Sequence, residues 1–320
     1  MIDYIFDTLR VFYSINAEHI EKVQGGWSAD AYSVKTKNSN YFLKVFDKHR
    51  HTGEFWIDRI DYYMPIVFWL NDNTSFKDEL VMPISANDGS YKFENADNVF
   101  MLYPYINGYT LAEKRLSSAQ QKDLAAIVSN LHMCGQKIPE NMLHDVENFD
   151  VSFCDELLSI METRSTNSNL PKKIWNNYKN SIAENIKILK QYAEELPREN
   201  LQFVLCHTDL HGWNLMQADK LLLLDWEGLK LAPAEADIFS FTEGFFFDYV
   251  YDSFMSVYQH IYPDYVVNQK AMDFYRIRRR LEDITDFAKN ILFDNISESD
   301  MSKSLRALER ECSLLCDNFK

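Results

Sequence analysis

The sequence predicts an α+β protein of two lobes: a small N-terminal lobe built on an antiparallel sheet, and a larger, mainly helical C-terminal lobe. Three observations predict it. Short apolar runs punctuated by turn residues fill the first hundred positions. Pro104 and Gly108 then stand close together, as at a joint. Beyond them, apolar residues recur three and four apart. A chain of 320 residues is long enough for two such bodies. The expected division is 1–103, a joint at 104–108, and 109–320.

The first ten residues carry acids among apolar side chains and read as an amphipathic helix rather than a leader peptide. Candidate strands follow at 20–23 and 31–36, with Gly25 and Gly26 in the turn between them, and a third at 41–46. A helix is expected over 55–70, where Pro65 either kinks it or starts a new first turn. The lobe is completed by the apolar run 80–84, the turn Asn87-Asp88-Gly89-Ser90 and the run 99–103. Past the joint, helical spacing covers 112–133 and 174–196, with a polar loop at 140–153. The runs 201–205 and 221–224 read as short buried strands forming a hairpin around the segment between them, and the chain after Pro233 reads as mostly helical.

A net charge of −15 would repel nucleic acid and anionic membrane surfaces, so neither is an expected partner. It suits a cationic small molecule, or serves solubility alone. No apolar run approaches the ~18 residues of a membrane span. Five cysteines, an odd number without a Cys-x-x-Cys pair, make a poor disulfide framework and suggest a reducing cytoplasm.

The chemistry concentrates in Cys206-His207-Thr208-Asp209-Leu210-His211-Gly212-Trp213-Asn214 and in Asp225-Trp226-Glu227, which follows four leucines. Phosphoryl transfer needs a carboxylate that orients the attacking hydroxyl, with an amide oxygen and a second carboxylate to hold Mg²⁺ against nucleotide phosphates. Asp209, Asn214 and Asp225 could supply these in turn, and Mg²⁺ prefers such oxygen ligands. Each also has a plain alternative, Asp209 as a turn cap and Asn214 as a loop residue bonding its own backbone. Asp225 ends a buried strand, where an unpaired charge is costly and a cation would relieve it. Glu227 would assist a second metal or face solvent. His207 reads as structural, and no histidine spacing suggests zinc.

Lys44 lies in Tyr41-Phe42-Leu43-Lys44-Val45-Phe46, where apolar flanks imply a counter-charge and a phosphate partner, unless the strand is an exposed edge. Asp61 is the first choice of acid, followed by Asp58 and Glu54. Gly25, Gly26 and Ser28 could cover the phosphates or form only a hairpin turn. The backbone of Tyr103 and Tyr105 could meet adenine, with Met101 and Leu102 against the ring or simply in the core.

Together these features resemble the aminoglycoside phosphotransferase family, which shares a two-lobed protein-kinase-like fold with choline, methylthioribose and homoserine kinases. The resemblance extends through Leu231-Ala232-Pro233-Ala234-Glu235-Ala236-Asp237. That segment and 275–284 are most similar to spectinomycin phosphotransferases. It implies ATP and Mg²⁺ as cofactors, Asp209 as base, Asn214 and Asp225 as metal ligands, and Lys44 on the α and β phosphates. It also implies the Tyr103 and Tyr105 backbone at adenine, and Asp237 as structural, tying the helix after it to the catalytic loop. Thr208 and Trp226-Glu227 depart from protein kinases, which argues against a protein substrate. Acceptor candidates are Glu243, Asp248, Glu282, Asp283 and Asp286, with Phe245, Phe246, Phe247 and Tyr249 stacking on rings or cations, or all of them as core and solvated face. The leading expectation is transfer of the ATP γ-phosphate to an aminoglycoside or aminocyclitol hydroxyl. A metabolite kinase of the same fold and a silent nucleotide-binding protein are the alternatives.

Overall fold

The computed structural model describes residues 2–23, 25, 28–50, 53–77, 79–112, 114–162, 171–242, 250–294 and 296–317. In chain order the elements are α1 (Ile2–Tyr13), β1 (His19–Val23), β2 (Asp30–Lys35), β3 (Asn40–Asp47), α2 (Gly53–Asn73), β4 (Phe93–Glu94), β5 (Asn98–Pro104) and β6 (Tyr109–Thr110). There follow α3 (Ser118–Cys134), α4 (Phe153–Glu162), α5 (Lys172–Glu195), β7 (Phe203–Cys206), β8 (Leu215–Gln217), β9 (Leu221–Leu223), β10 (Lys230–Pro233), α6 (Glu235–Ile238), α7 (Tyr251–Ile261), α8 (Gln269–Phe293) and α9 (Glu298–Asp317). The chain forms two compact units. One comprises Met1–Ala112, Ile138–His144 and Gly212–Glu227; the other comprises Glu113–Lys137, Asp145–His211 and Gly228–Lys320.

In the first unit, an antiparallel sheet runs in the order β1-β2-β3-β5-β4. Period-two alternation sends Leu43 and Val45 to the face where Ile5, Leu9 and Tyr13 of α1 pack, together with Val34, Phe100 and Leu102. Lys44 therefore points to the opposite face, in register with Ala31 and Met101. α2 runs unbroken through Pro65 and buries Ile57, Ile60, Met64 and Val67, a stripe at helical spacing. The run at 80–84 joins no strand, whereas β4, which the sequence did not suggest, pairs with β5.

The expected hairpin of 201–205 with 221–224 is not formed. β9 pairs with β8 within the first unit, Leu215 opposite Leu223, and β7 pairs with β10 in the second, Cys206 opposite Lys230. The strand of the first run is shorter and shifted, with Leu201 and Gln202 outside it and Phe203 exposed, and an apolar run does not specify its partner.

Helices dominate the second unit. Ser117 and Gln120 form a reciprocal capping box at the start of α3, and Asn268 caps α8 by accepting from Ala271 N. α8 and α9 are joined by a buried ion pair, in which Arg280 donates to Glu311 Oε2 at 2.6 Å with side chains only 6% and 2% exposed. Glu311→Ala would take from a buried guanidinium the carboxylate it is bonded to and is expected to cost about 3–5 kcal/mol in urea unfolding. The double replacement Arg280→Met with Glu311→Leu should restore most of that; a single-variant loss below about 1 kcal/mol would contradict the pair's importance. No helix among the described residues is long and apolar enough to cross a membrane.

Candidate functional site

Two clusters, one in each unit, hold Lys44 with Asp225 and Glu227 in the first and Asp209 with Asp237 in the second. In the first, β3 delivers Lys44, whose Nζ donates to Asp225 Oδ1 at 2.5 Å and to Glu227 Oε1 at 2.6 Å. Ser28 Oγ donates to the other Glu227 oxygen at 3.2 Å, and Arg59 Nε of α2 donates to the Glu227 carbonyl at 2.7 Å. Leu224 N bonds to the Asn214 carbonyl at 2.9 Å, so the β8–β9 hairpin sets Asn214 beside the segment that carries Asp225. Asp225 holds a left-handed φ of 59°, a strained conformation for a non-glycine residue, which its surroundings must impose.

Asp61 does not serve Lys44. It accepts from Tyr91 OH at 2.7 Å and Lys92 Nζ at 2.8 Å, because its place on α2 lies off the buried stripe. Glu227, for which a solvent position was an open reading, is buried and supplies the counter-charge together with Asp225. Burial favours the neutral form of Lys44, but the two carboxylates outweigh it and raise its pKa. Burial raises the Glu227 pKa; Lys44 offsets this in part, and Asp225 adds to it. Two carboxylates thus share one ammonium and leave surplus negative charge. Asp225 and Glu227, with Asn214 beside them, are hard oxygen donors that fit a divalent cation such as Mg²⁺.

Gly25 belongs to the turn between β1 and β2, where a Cβ would lie 2.7 Å from the Ala31 Cβ, so a side chain has no room. Gly26 falls outside the described residues. Met101 and Leu102 are fully buried, and Tyr103 lies opposite Phe42 in the sheet. Tyr105 N donates to the Asn40 carbonyl at 3.3 Å.

In the second unit, β7 leads into His207, Thr208 and Asp209. Thr208 has a φ of 65° and is held by two bonds: its N–H donates to Asp237 Oδ1 at 2.6 Å, and its hydroxyl to the Gly228 carbonyl at 2.8 Å. A Cβ on Gly228 would sit 2.4 Å from that hydroxyl, so the close approach requires glycine. Asp237 Oδ2 accepts from His207 N at 2.9 Å and lies 3.0 Å from His132 Nε2, while His132 Nδ1 lies 2.9 Å from Tyr258 OH. The fully buried Asp237 thus ties α6, the helix that contains it rather than one after it, to the loop. His132, Cys206 and Asp237 bring their ligand atoms within 4.8 Å of one another, but these hydrogen bonds already occupy Asp237 and both imidazole nitrogens, which makes the triad a bonding network.

Asp209 Oδ1 accepts from Arg279 NH1 at 2.6 Å and lies 3.3 Å from His211 Nε2. Burial alone would raise its pKa, yet Arg279, with His211 and His207, holds the carboxyl well below the usual range. Of the acceptor candidates, Glu282 accepts from Arg278 at 2.7 Å and Asp283 from Arg279 at 3.1 Å. Burial, then Asp283 and Glu282, push the Asp286 carboxyl up to about 7. Glu243, Asp248, Phe245, Phe246, Phe247 and Tyr249 lie outside the described residues. Arg279, Arg59 and His132 escaped the sequence reading; Arg279 alone left a signal there, its four-residue spacing from Asp283.

The sequence profile of the APH phosphotransferase enzyme family matches residues 19–265. No curated protein matches the sequence. Among solved structures, a spectinomycin phosphotransferase in complex with ADP and spectinomycin aligns with a TM-score of 0.75 at 18% identity, covering 98% of this chain and 97% of that one. The choline kinase of Streptococcus pneumoniae aligns at 0.65 and 15%, covering 99% of each chain. An amicoumacin kinase in complex with AMP-PNP and Ca²⁺ aligns at 0.62 and 12%, covering 99% of this chain and 93% of that one. Such low identities speak to fold, which is kinase-like. Because the family profile spans most of the chain, the protein belongs to the APH phosphotransferase enzyme family.

Proposed function

We propose that this ATP-dependent phosphotransferase transfers the γ-phosphate of ATP to a hydroxyl of an aminocyclitol or aminoglycoside antibiotic, spectinomycin or a close analogue, and so confers resistance. The observation that carries the reading is the half-buried Lys44 ammonium set between Asp225 and Glu227, a charge arrangement suited to a metal-bound triphosphate. The similarity in fold to a spectinomycin phosphotransferase supports the choice of acceptor.

In this reading residues 1–103 carry the nucleotide, 104–108 are the joint, and 109–320 carry the catalytic loop and acceptor. Lys44 binds the α and β phosphates, while Gly25, Gly26 and Ser28 cover them. The Tyr103 and Tyr105 backbone meets adenine. Asn214 and Asp225 hold Mg²⁺, which when bound neutralises phosphate charge and aligns the transferring group. Asp209 accepts a hydrogen bond from the acceptor hydroxyl, orients its oxygen toward the phosphorus, and takes the proton late in the transfer. The acceptor carries positive charge, in keeping with the protein's net charge of −15. The free thiols of all five cysteines suit the reducing cytoplasm in which we place the enzyme.

A second reading, a metabolite kinase acting on choline or a similar small alcohol, is favoured by the arginine partners of Glu282 and Asp283, which leave less free acid for a polyamine. ADP release measured with spectinomycin, several aminoglycosides, choline and methylthioribose separates the two. Stimulation by spectinomycin or an aminoglycoside alone is the expected result; stimulation by choline or methylthioribose alone would replace the first reading with the second.

A further inference from the structure

We infer that Arg279, braced by Asp283, is a positioning residue that fixes the orientation of the Asp209 carboxylate. The inference rests on the proposed role of Asp209 at the acceptor hydroxyl. Three consecutive arginines of α8 project about 100° apart around the helix, and each meets its own acids. Arg278 binds Glu282 and the buried Glu147, and Arg280 binds Glu311. Arg279 reaches the catalytic loop, with Nε on Asp283 at 3.1 Å and NH1 on Asp209 at 2.6 Å.

A guanidinium is planar, and its donors hold a fixed angle to one another. With Nε pinned to a carboxylate one turn along the same helix, the direction in which NH1 points is set by α8 rather than by the loop. Asp209 is thereby located twice. Its backbone is held through Thr208 and His207 by Asp237, and its side chain by Arg279. A lysine could match the charge of Arg279 but could not bridge two carboxylates at a fixed angle. Arg279 is the guanidinium bonded to Asp209, the imidazoles of His211 and His207 also lie beside it, and Asp283 and Glu282 stand behind Arg279.

The test compares Arg279→Met, Arg279→Lys and Asp283→Asn. With aspartate labelled by ¹³C at the carboxyl carbon, the Asp209 resonance is identified by its loss in Asp209→Asn and followed as pH is lowered. In the unsubstituted protein it should stay ionised while exposed aspartates titrate; in Arg279→Met its midpoint should rise into or above their range. Asp283→Asn should keep the charge beside Asp209 yet lower kcat. ADP release from Mg-ATP with spectinomycin should lose roughly 10- to 100-fold in kcat for Arg279→Met, as a misplacement of about 1 Å causes, while the KM for ATP holds within about twofold. Arg279→Lys should recover the titration midpoint but only part of the turnover. An unchanged Asp209 midpoint in Arg279→Met with an unchanged melting curve overturns the inference, as does full turnover in Asp283→Asn and Arg279→Lys together. If Arg279→Met fails to fold, the last two variants decide. Absence of any ADP release in the unsubstituted protein would refute the proposed function instead, and the titration would still decide the Arg279–Asp209 pair.

Discussion

Asp209→Asn is expected to lower turnover by about 10²- to 10⁴-fold, the range for loss of a positioned acid or base. The substitution keeps the shape of the side chain and removes its charge, so in the proposed mechanism the acceptor hydroxyl would lose both its orienting acceptor and its proton acceptor. Nucleotide affinity should hold, because Lys44, Asn214 and Asp225, the groups proposed to hold Mg-ATP, are unchanged. Stability should fall modestly at neutral pH, where the ion pair with Arg279 is fully formed in the unsubstituted protein. The folded pKa of Asp209 is depressed, so its ion pair contributes stability above the unfolded value, about 3.9, and that contribution fades as pH falls through the lower folded value. Partial exposure of both side chains screens it further. Steady-state ADP release, calorimetric titration with a non-hydrolysable ATP analogue and a thermal melt read the three quantities. Retained turnover would remove Asp209 from the chemistry, whereas lost nucleotide affinity would give it a different role.

Asp237→Ala should damage both stability and catalysis. Its carboxylate is fully buried and accepts from two backbone N–H groups, with His132 at a third position. Leaving buried donors unpaired costs about 1–3 kcal/mol each, so a loss of about 3–5 kcal/mol in urea unfolding is expected. Thr208 would also lose one of the bonds that impose its left-handed φ, and the loop should relax away from the geometry that presents Asp209. Amide exchange at His207 and Thr208 should quicken more than exchange in α8. Uniform acceleration across the second unit would mean that Asp237 stabilises the unit as a whole without holding the loop in particular.

The position of Lys44 was legible because a strand alternates: with Leu43 and Val45 on the α1 face, Lys44 had to take the other. Asp225 was legible from the four leucines before it, since a charge at the end of a buried run needs a partner. The partner itself was not. Pro65 suggests a kink or a new first turn, and without a fixed helical phase a ranking that puts Asp61 ahead of Asp58 and Glu54 has no face of the helix to rest on. The unbroken α2 turns Ile57, Ile60 and Met64 inward and leaves Asp61 with Tyr91 and Lys92, while Glu227 arrives from 183 residues away in sequence. Long-range pairing also defeated the hairpin expectation, because β10 and β8 compete for the strands that were paired together. Glu282 and Asp283, candidates for the acceptor or for a solvated face, stand four residues after Arg278 and Arg279, a spacing that places each pair on one helix face.

The central claim is that this chain moves phosphate from ATP to an alcohol. Phosphorus NMR of the protein with Mg-ATP and spectinomycin tests it most directly, because a phosphomonoester, ADP and free phosphate have separate resonances. A monoester signal that grows in step with ADP, and is missing with Asp209→Asn, is the expected result. ATP that stays intact, or yields only ADP and inorganic phosphate, with spectinomycin and with every other hydroxyl acceptor tried would contradict it.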